Sequence, residues 1–223
     1  MRLAFHLAIL ATCLLTPAIA AADDSGWYVG YSGAQTHASQ ASYFKGFFPR
    51  GIVPSDPSVS SSLDSSGKRL EGGYWFTPNI GVQAAITDLG RFSFKATYDS
   101  GGFVGCVGAQ CGPATITDSR IEPTAETLAL TGRWALSDEF DLIGRAGVLW
   151  GSTTYEDQSI GVPNGHPRII EASRGGTLGV SLGWNFTDHS ELLLGWDEYT
   201  GLGGNRFASF NVSAVSIGLQ YHF

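Results

Sequence analysis

Three times in this chain an alternating apolar run stops at a short turn and then resumes. The joins are Gly73-Tyr-Trp-Phe-Thr-Pro-Asn79, Gly132-Arg-Trp-Ala-Leu-Ser-Asp-Glu139 and Gly183-Trp-Asn-Phe-Thr-Asp-His189. A period of two is the signature of β-strands, whose successive side chains point to opposite faces. Each turn opens at Thr77, Ser137 or Thr187, where Ser, Thr, Asp, Asn and Pro supply the local bonding and fixed φ of tight turns. Before the turns one face carries Leu70 and Phe76, then Leu130 and Leu136, then Val180 and Phe186. After them it continues through Ile80 and Ile86, Phe140 and Trp150, and Leu192 and Trp196. This face is almost wholly apolar in all six runs.

The opposite face carries the charges: Arg69, Glu71, Arg133, Asp141, Arg145, Glu191 and Asp197, beside Gln83, Gln220 and His222. An apolar outside and a polar inside suit a strand with lipid on one face and a filled lumen on the other. Tyr74, Trp134 and Trp184 stand at equal distance from their turns, and are expected to form an aromatic girdle at the membrane interface. The competing reading is a soluble antiparallel barrel or sandwich, in which the apolar face would point inward. Aromatics matched in height favour the membrane.

The last nine residues repeat the pattern. Val215, Ile217, Leu219, Tyr221 and Phe223 share one face; Ser216, Gly218, Gln220 and His222 share the other. This ending resembles the C-terminal signal of bacterial outer-membrane β-barrels. The resemblance implies that Leu219, Tyr221 and Phe223 are read by the barrel assembly machinery.

Residues 1–22 read as a cleaved secretory signal: Arg2, then an apolar stretch from Leu3 to Leu15, Pro17, and small residues from Ala18 to Ala22. Cleavage after Ala20 or after Ala22 fits, and Ala22 is expected. An uncleaved anchor and a lipoprotein site at Cys13 are the alternatives; Thr12 and the two leucines after Cys13 argue against the second. Beyond Ala22 no segment approaches the ~18 apolar residues of a membrane helix. A membrane span must then be a closed barrel, because only a helix or a barrel satisfies its own backbone in lipid. The chain has 13 basic and 20 acidic side chains, net −7, which argues against nucleic acid as a partner. Cys106 and Cys111 flank a short Gly-rich turn. Export to an oxidising compartment predicts a disulfide between them rather than a metal site.

Adding Gly26–Gln35 and the last strand makes eight strands, so residues 23–223 read as an all-β, eight-stranded antiparallel up-and-down barrel. An even count puts both ends on the periplasmic side. Long extracellular loops are expected near 36–66, 91–124, 152–174 and 200–209. The alternation Phe92-Ser-Phe-Lys-Ala-Thr-Tyr98 would make ten strands if it formed a hairpin inside the membrane; it is read instead as an extension above the bilayer.

The chain at this point resembles the transmembrane domain of the OmpA-like outer-membrane barrels. The motifs are Leu136 to Gly147, Gly179 to Asp188 followed by Leu192 to Tyr199, Ile217 to Phe223, and Ile86-Thr-Asp-Leu-Gly90. The resemblance implies an integral protein of the outer membrane of a Gram-negative bacterium. Its surroundings would be outer-membrane lipids and lipopolysaccharide, it would be a monomer, and it would carry no cofactor and no metal. The periplasmic peptidoglycan-binding domain of full-length members is missing from the sequence, so the wall-tethering role is not expected here.

Three functions stay open at this stage. The lumenal charges form either a structural network that plugs the barrel or a gate whose ion pairs exchange and pass small solutes. The aromatic segment Tyr43 to Arg50 is either a contact site for a surface ligand or packing for Phe92, Phe94 and Phe103. A lipid A-modifying enzyme would need a Ser or an acid–His pair near the outer rim. His37, His166, Asp99-Ser100 and Asp118-Ser119 lie on that side, whereas His189-Ser190 lies at the periplasmic end. A structural or surface-interaction role is favoured, with a narrow channel next and no catalytic residue assigned.

Overall fold

The computed structural model describes residues 26–39, 58–98, 115–157, 168–204 and 209–223. The signal segment, the aromatic segment at Tyr43–Arg50, Cys106 with Cys111, Asp99-Ser100 and His166 lie outside these residues. Ten strands run β1 (Gly26–Ala38), β2 (Ser58–Ser62), β3 (Asp64–Thr77), β4 (Ile80–Asp88), β5 (Phe92–Tyr98), β6 (Thr115–Ala135), β7 (Phe140–Asp157), β8 (Arg168–Thr187), β9 (Ser190–Leu202) and β10 (Phe210–His222).

Eight of them close a ring in the order β1-β3-β4-β6-β7-β8-β9-β10, and β10 pairs back onto β1 from Tyr28↔His222 to Ala38↔Val212. Every pairing is antiparallel. β2 and β5 are not barrel strands. β2 leads into β3 and β5 follows β4; β2 pairs with β5, and β5 pairs with the outer part of β6 (Phe92↔Ile121 to Tyr98↔Thr115). The Phe92–Tyr98 run is thus an extension above the barrel, which stays eight-stranded. No helix among the described residues is long and apolar enough to cross a membrane.

The segments expected as outer loops contain a good deal of strand. β6 begins at Thr115, β7 runs to Asp157 and β8 starts at Arg168. On one side of the barrel β2, β5, β6, β7 and β8 continue as a five-stranded sheet beyond the ends of β4 and β9. Alternation in these runs is polar with β-branched Thr and Ile, which pleat well without an apolar face to mark them. Hydrophobic period alone does not reveal such strands.

The outward face is the apolar one. Leu70, Leu130, Leu178, Leu194, Ile217 and Phe223 are all exposed, Leu130 by 67% and Phe223 by 70%. Exposure of so many large apolar side chains around a whole circumference is what a lipid-facing wall requires. Trp134 and Trp184 are exposed near the turns, while Tyr74 is half-buried between Trp27 (ring centroids 5.1 Å) and Phe76 (5.4 Å). The indole of Trp134 lies across two glycines of the outer face, Gly132 on its own strand and Gly144 on β7. A Cβ there would stand 3.1 and 3.2 Å from the ring. Bare backbone in the wall is thereby shielded by a neighbouring aromatic.

Candidate functional site: the lumen

Inward-pointing residues stack in layers along the barrel axis. Nearest the turns, Arg133 lies close to the end of β6, Asp141 and Glu191 are the second residues of β7 and β9, and His222 ends β10. Arg133 Nη2 donates to Glu191 Oε2 at 3.4 Å, and its Nε lies 3.8 Å from Asp141 Oδ2. Asn185 Nδ2 donates to Asp141 at 2.8 Å, and His222 Nε2 sits 3.2 Å from Glu191 Oε2. The Arg133 guanidinium also lies over the Trp75 ring, 4.4 Å from its centroid. That contact is a cation–π pair, which suits a planar, weakly hydrated cation.

Above this floor, Tyr28, Trp75, Ile143 and Leu193 make an apolar layer. The next layer is a chain of ion pairs. Arg69 Nε lies 2.7 Å from Glu71 Oε2, and Arg69 Nη1 lies 3.1 Å from Asp197 Oδ2. Arg145 meets both oxygens of Asp197, at 2.6 Å from Nε and 3.0 Å from Nη2. Arg145 also donates to Ser181 Oγ at 2.7 Å, and Arg69 to Gln83 Oε1 at 2.6 Å. Two guanidiniums and two carboxylates thus alternate, so each buried charge has an opposite neighbour. Without that pairing, removing them from water would be prohibitive.

Glycine on the facing strand makes room for these side chains. Glu71 is in register with Gly30, Tyr28 with Gly73, Trp75 with Gly81, and both Arg145 and Asp197 with Gly179. A Cβ at Gly30 would meet the Glu71 carboxylate at 2.9 Å, and one at Gly179 would run into Asp197 and Arg145. Arg69, Glu71, Arg145, Ser181, Leu193 and Ser216 line a cavity of about 10 Å³, the space of a single water.

At the outer end the lumen turns apolar again. Leu89, Phe92, Ile121, Ala125, Leu149, Tyr155, Tyr199, Leu202, Phe210 and Val212 pack into one buried cluster. Sequence reasoning placed the seven charged residues on the inward face but missed this cluster. Leu89 and Leu202 sit at corners where alternation ends. The only sequence signal for them is the glycine that follows each, Gly90 (φ 86°) and Gly203 (φ 108°).

Among the described residues no group of His, Cys, Asp and Glu is arranged to hold a metal ion. One acid–histidine pair lies outside the lumen: His37 Nδ1 is 2.8 Å from Asp64 Oδ1, with both side chains exposed on the outer face. His37 stands in register with Ser213, whose Oγ donates to the His37 main-chain carbonyl at 3.5 Å.

The fold recurs in solved structures. Neisserial surface protein A is 12% identical, with a TM-score of 0.53, over 89% of this chain and 99% of that one. The outer membrane protein OprG from Pseudomonas aeruginosa is 15% identical, with a TM-score of 0.50, over 89% and 96%. The outer membrane protease OmpT from Escherichia coli is also similar, at 15% identity over 89% and 96%, with a TM-score of only 0.40. These likenesses show the fold alone. No curated protein matches the chain. The family model for the outer membrane protein beta-barrel domain matches residues 6–223. The exposed apolar wall, the closed ring and this match agree: the chain belongs to the outer membrane protein beta-barrel family, and its place is the outer membrane of a Gram-negative cell.

Proposed function

We propose that this barrel is a closed, non-enzymatic surface protein that acts through contacts made at its outer end. The observation that carries the reading is the filled lumen. Three layers of side chains and an apolar cluster occupy it, and the cavity among the ion pairs measures about 10 Å³, the size of one water. Packing of this kind among the described residues leaves little room for a solute, so the working surface is read as the outside. There β2, β5, β6, β7 and β8 extend as a hydrogen-bonded sheet beyond the ends of β4 and β9. Lys68, Arg168 and Arg174 are exposed at that end, beyond the apolar band, where phosphate groups of lipopolysaccharide would meet them. A barrel that closes on itself needs no partner strand, so a monomer is the expected state. The residues Leu219, Tyr221 and Phe223, exposed on β10 and just after it, would engage the assembly machinery.

The test is the conductance of the refolded protein in a planar bilayer. The parent barrel is expected to be electrically silent. Discrete openings, changed by Arg145→Ala or Glu71→Ala, would favour the charge-gated channel instead.

A second reading rests on one observation, the Asp64–His37 pair facing Ser213. An acid, a histidine and a serine in one row at the outer rim have the residue types of an acyl hydrolase. Ser213 bonds to the main chain rather than to the imidazole, so the row is not assembled as a nucleophile–base pair. Ester hydrolysis by the purified barrel that disappears in Ser213→Ala and His37→Ala would revive the enzyme.

A further inference from the structure

The two corners at the outer mouth face each other across the barrel. One joins β4 to β5 and carries Leu89; the other is the end of β9, Gly201 to Gly203, and carries Leu202. In the ring of eight, β4 and β9 are four strands apart in either direction, so the corners enter from opposite walls. Both leucines are 0% exposed and belong to the same buried cluster.

Each corner is locked from below. Leu89 N–H donates to the Pro123 carbonyl at 3.1 Å, and the Leu89 carbonyl accepts from Thr36 Oγ1 at 2.8 Å. Asp88 Oδ1 takes the Gly90 N–H at 2.9 Å, and Ser65 Oγ takes the Arg91 N–H at 2.8 Å. Gly90 holds φ 86°, a left-handed conformation that turns the chain inward, and a Cβ there would overlap Ser65 and Ser66. At the second corner Gly201 and Gly203 have φ of 79° and 108°, and Asn211 Oδ1 accepts the Gly201 N–H at 3.3 Å. Leu202 then reaches across toward Gly151 of β7, where a Cβ would stand 2.9 Å from its methyl.

We propose that these corners form an apolar seal at the extracellular mouth, in series with the ion pairs beneath it. The seal, rather than the charges, keeps water and ions from entering from outside. An apolar constriction resists water by dewetting, and no exchange of ion pairs relieves it. Breaking the Arg145–Asp197 pair therefore loosens the middle layer and leaves the barrel shut. The inference rests on the closed-barrel reading and adds where the closure lies.

The experiment compares three purified, refolded barrels in planar bilayers, each first checked for a folded, heat-modifiable band. Parent and Arg145→Ala are both expected to be silent. Arg145→Ala combined with Leu89→Ser and Leu202→Ser is expected to show discrete openings, with ion flux at least tenfold above Arg145→Ala. If the serine pair does not fold, Leu89→Ala with Leu202→Ala replaces it, with the same expectation. Openings in Arg145→Ala equal to those of the triple variant overturn the seal. A folded triple variant that stays silent overturns it as well. Openings in the parent defeat the closed-barrel reading itself, a different result from either.

Discussion

Arg145 grips Asp197 with two parallel contacts, at 2.6 and 3.0 Å, directly over the bare Cα of Gly179. The guanidinium comes from β7, the carboxylate from β9 and the glycine from β8 between them. The pair thus bridges a strand, and it fits only because the strand it crosses has no side chain at that point. Asp197 also holds Arg69 at 3.1 Å, so one carboxylate ties β3, β7 and β9 together through the barrel centre.

Removing one member of this network leaves an uncompensated charge in a buried site. Asp197→Ala is expected to destabilise the barrel by about 3–5 kcal/mol. Urea unfolding of the protein in lipid vesicles measures it. A loss below about 1 kcal/mol, the scale of exposed pairs, would show that water reaches the site.

Glu191 is 0% exposed and lies against Gly183, where a Cβ would overlap its Oε1. Gly183→Ala is expected to cost about 1–3 kcal/mol by overpacking. Gly33→Ala is its control, because a Cβ at Gly33 meets nothing within 4 Å. Equal stability of the two variants in the same unfolding assay would mean that Glu191 can move aside freely.

Trp134 shields Gly132 and Gly144 from lipid. Trp134→Ala uncovers that stretch of backbone and removes a girdle ring, and is expected to cost about 1 kcal/mol. Introducing Gly144→Ala into the same variant should recover part of the loss, since the new methyl occupies ground the indole has left. Additive losses in the double variant would show that the ring and the glycine do not cooperate.

Phe223 packs edge-on against Tyr221 (ring centroids 5.2 Å), and its N–H donates to the Trp27 carbonyl at 3.0 Å across the β1–β10 seam. Phe223→Ala is expected to lower the amount of heat-modifiable, protease-resistant barrel in outer-membrane fractions several-fold. Undiminished levels would remove this residue from any assembly signal.

Much of the fold was legible because lipid reverses the usual rule for a period-two chain. Leu70, Tyr74, Trp134 and Val180 had to face outward once Arg69, Glu71, Arg133 and Arg145 shared the other side. Eight such strands can satisfy their backbone in a membrane only as a closed ring. The run Phe92–Tyr98 was read as an extension and not a barrel strand, and it pairs with β2 and β6 outside the ring of eight. The strands at Thr115–Ile121 and Arg168–Ser173 were not legible, since polar residues break any sustained apolar period in them.

Sequence alone therefore determined which face the residues of the membrane-spanning runs take, because burial in lipid or lumen acts on every second residue independently of its neighbours in space. It could not decide who meets whom inside. Arg145 pairs with Asp197 and not Asp141, Glu71 lies over Gly30, and Leu89 and Leu202 enter one buried cluster because the strands are staggered by a definite register around a ring of fixed circumference. That stagger is a property of the closed barrel as a whole, and no single strand encodes it.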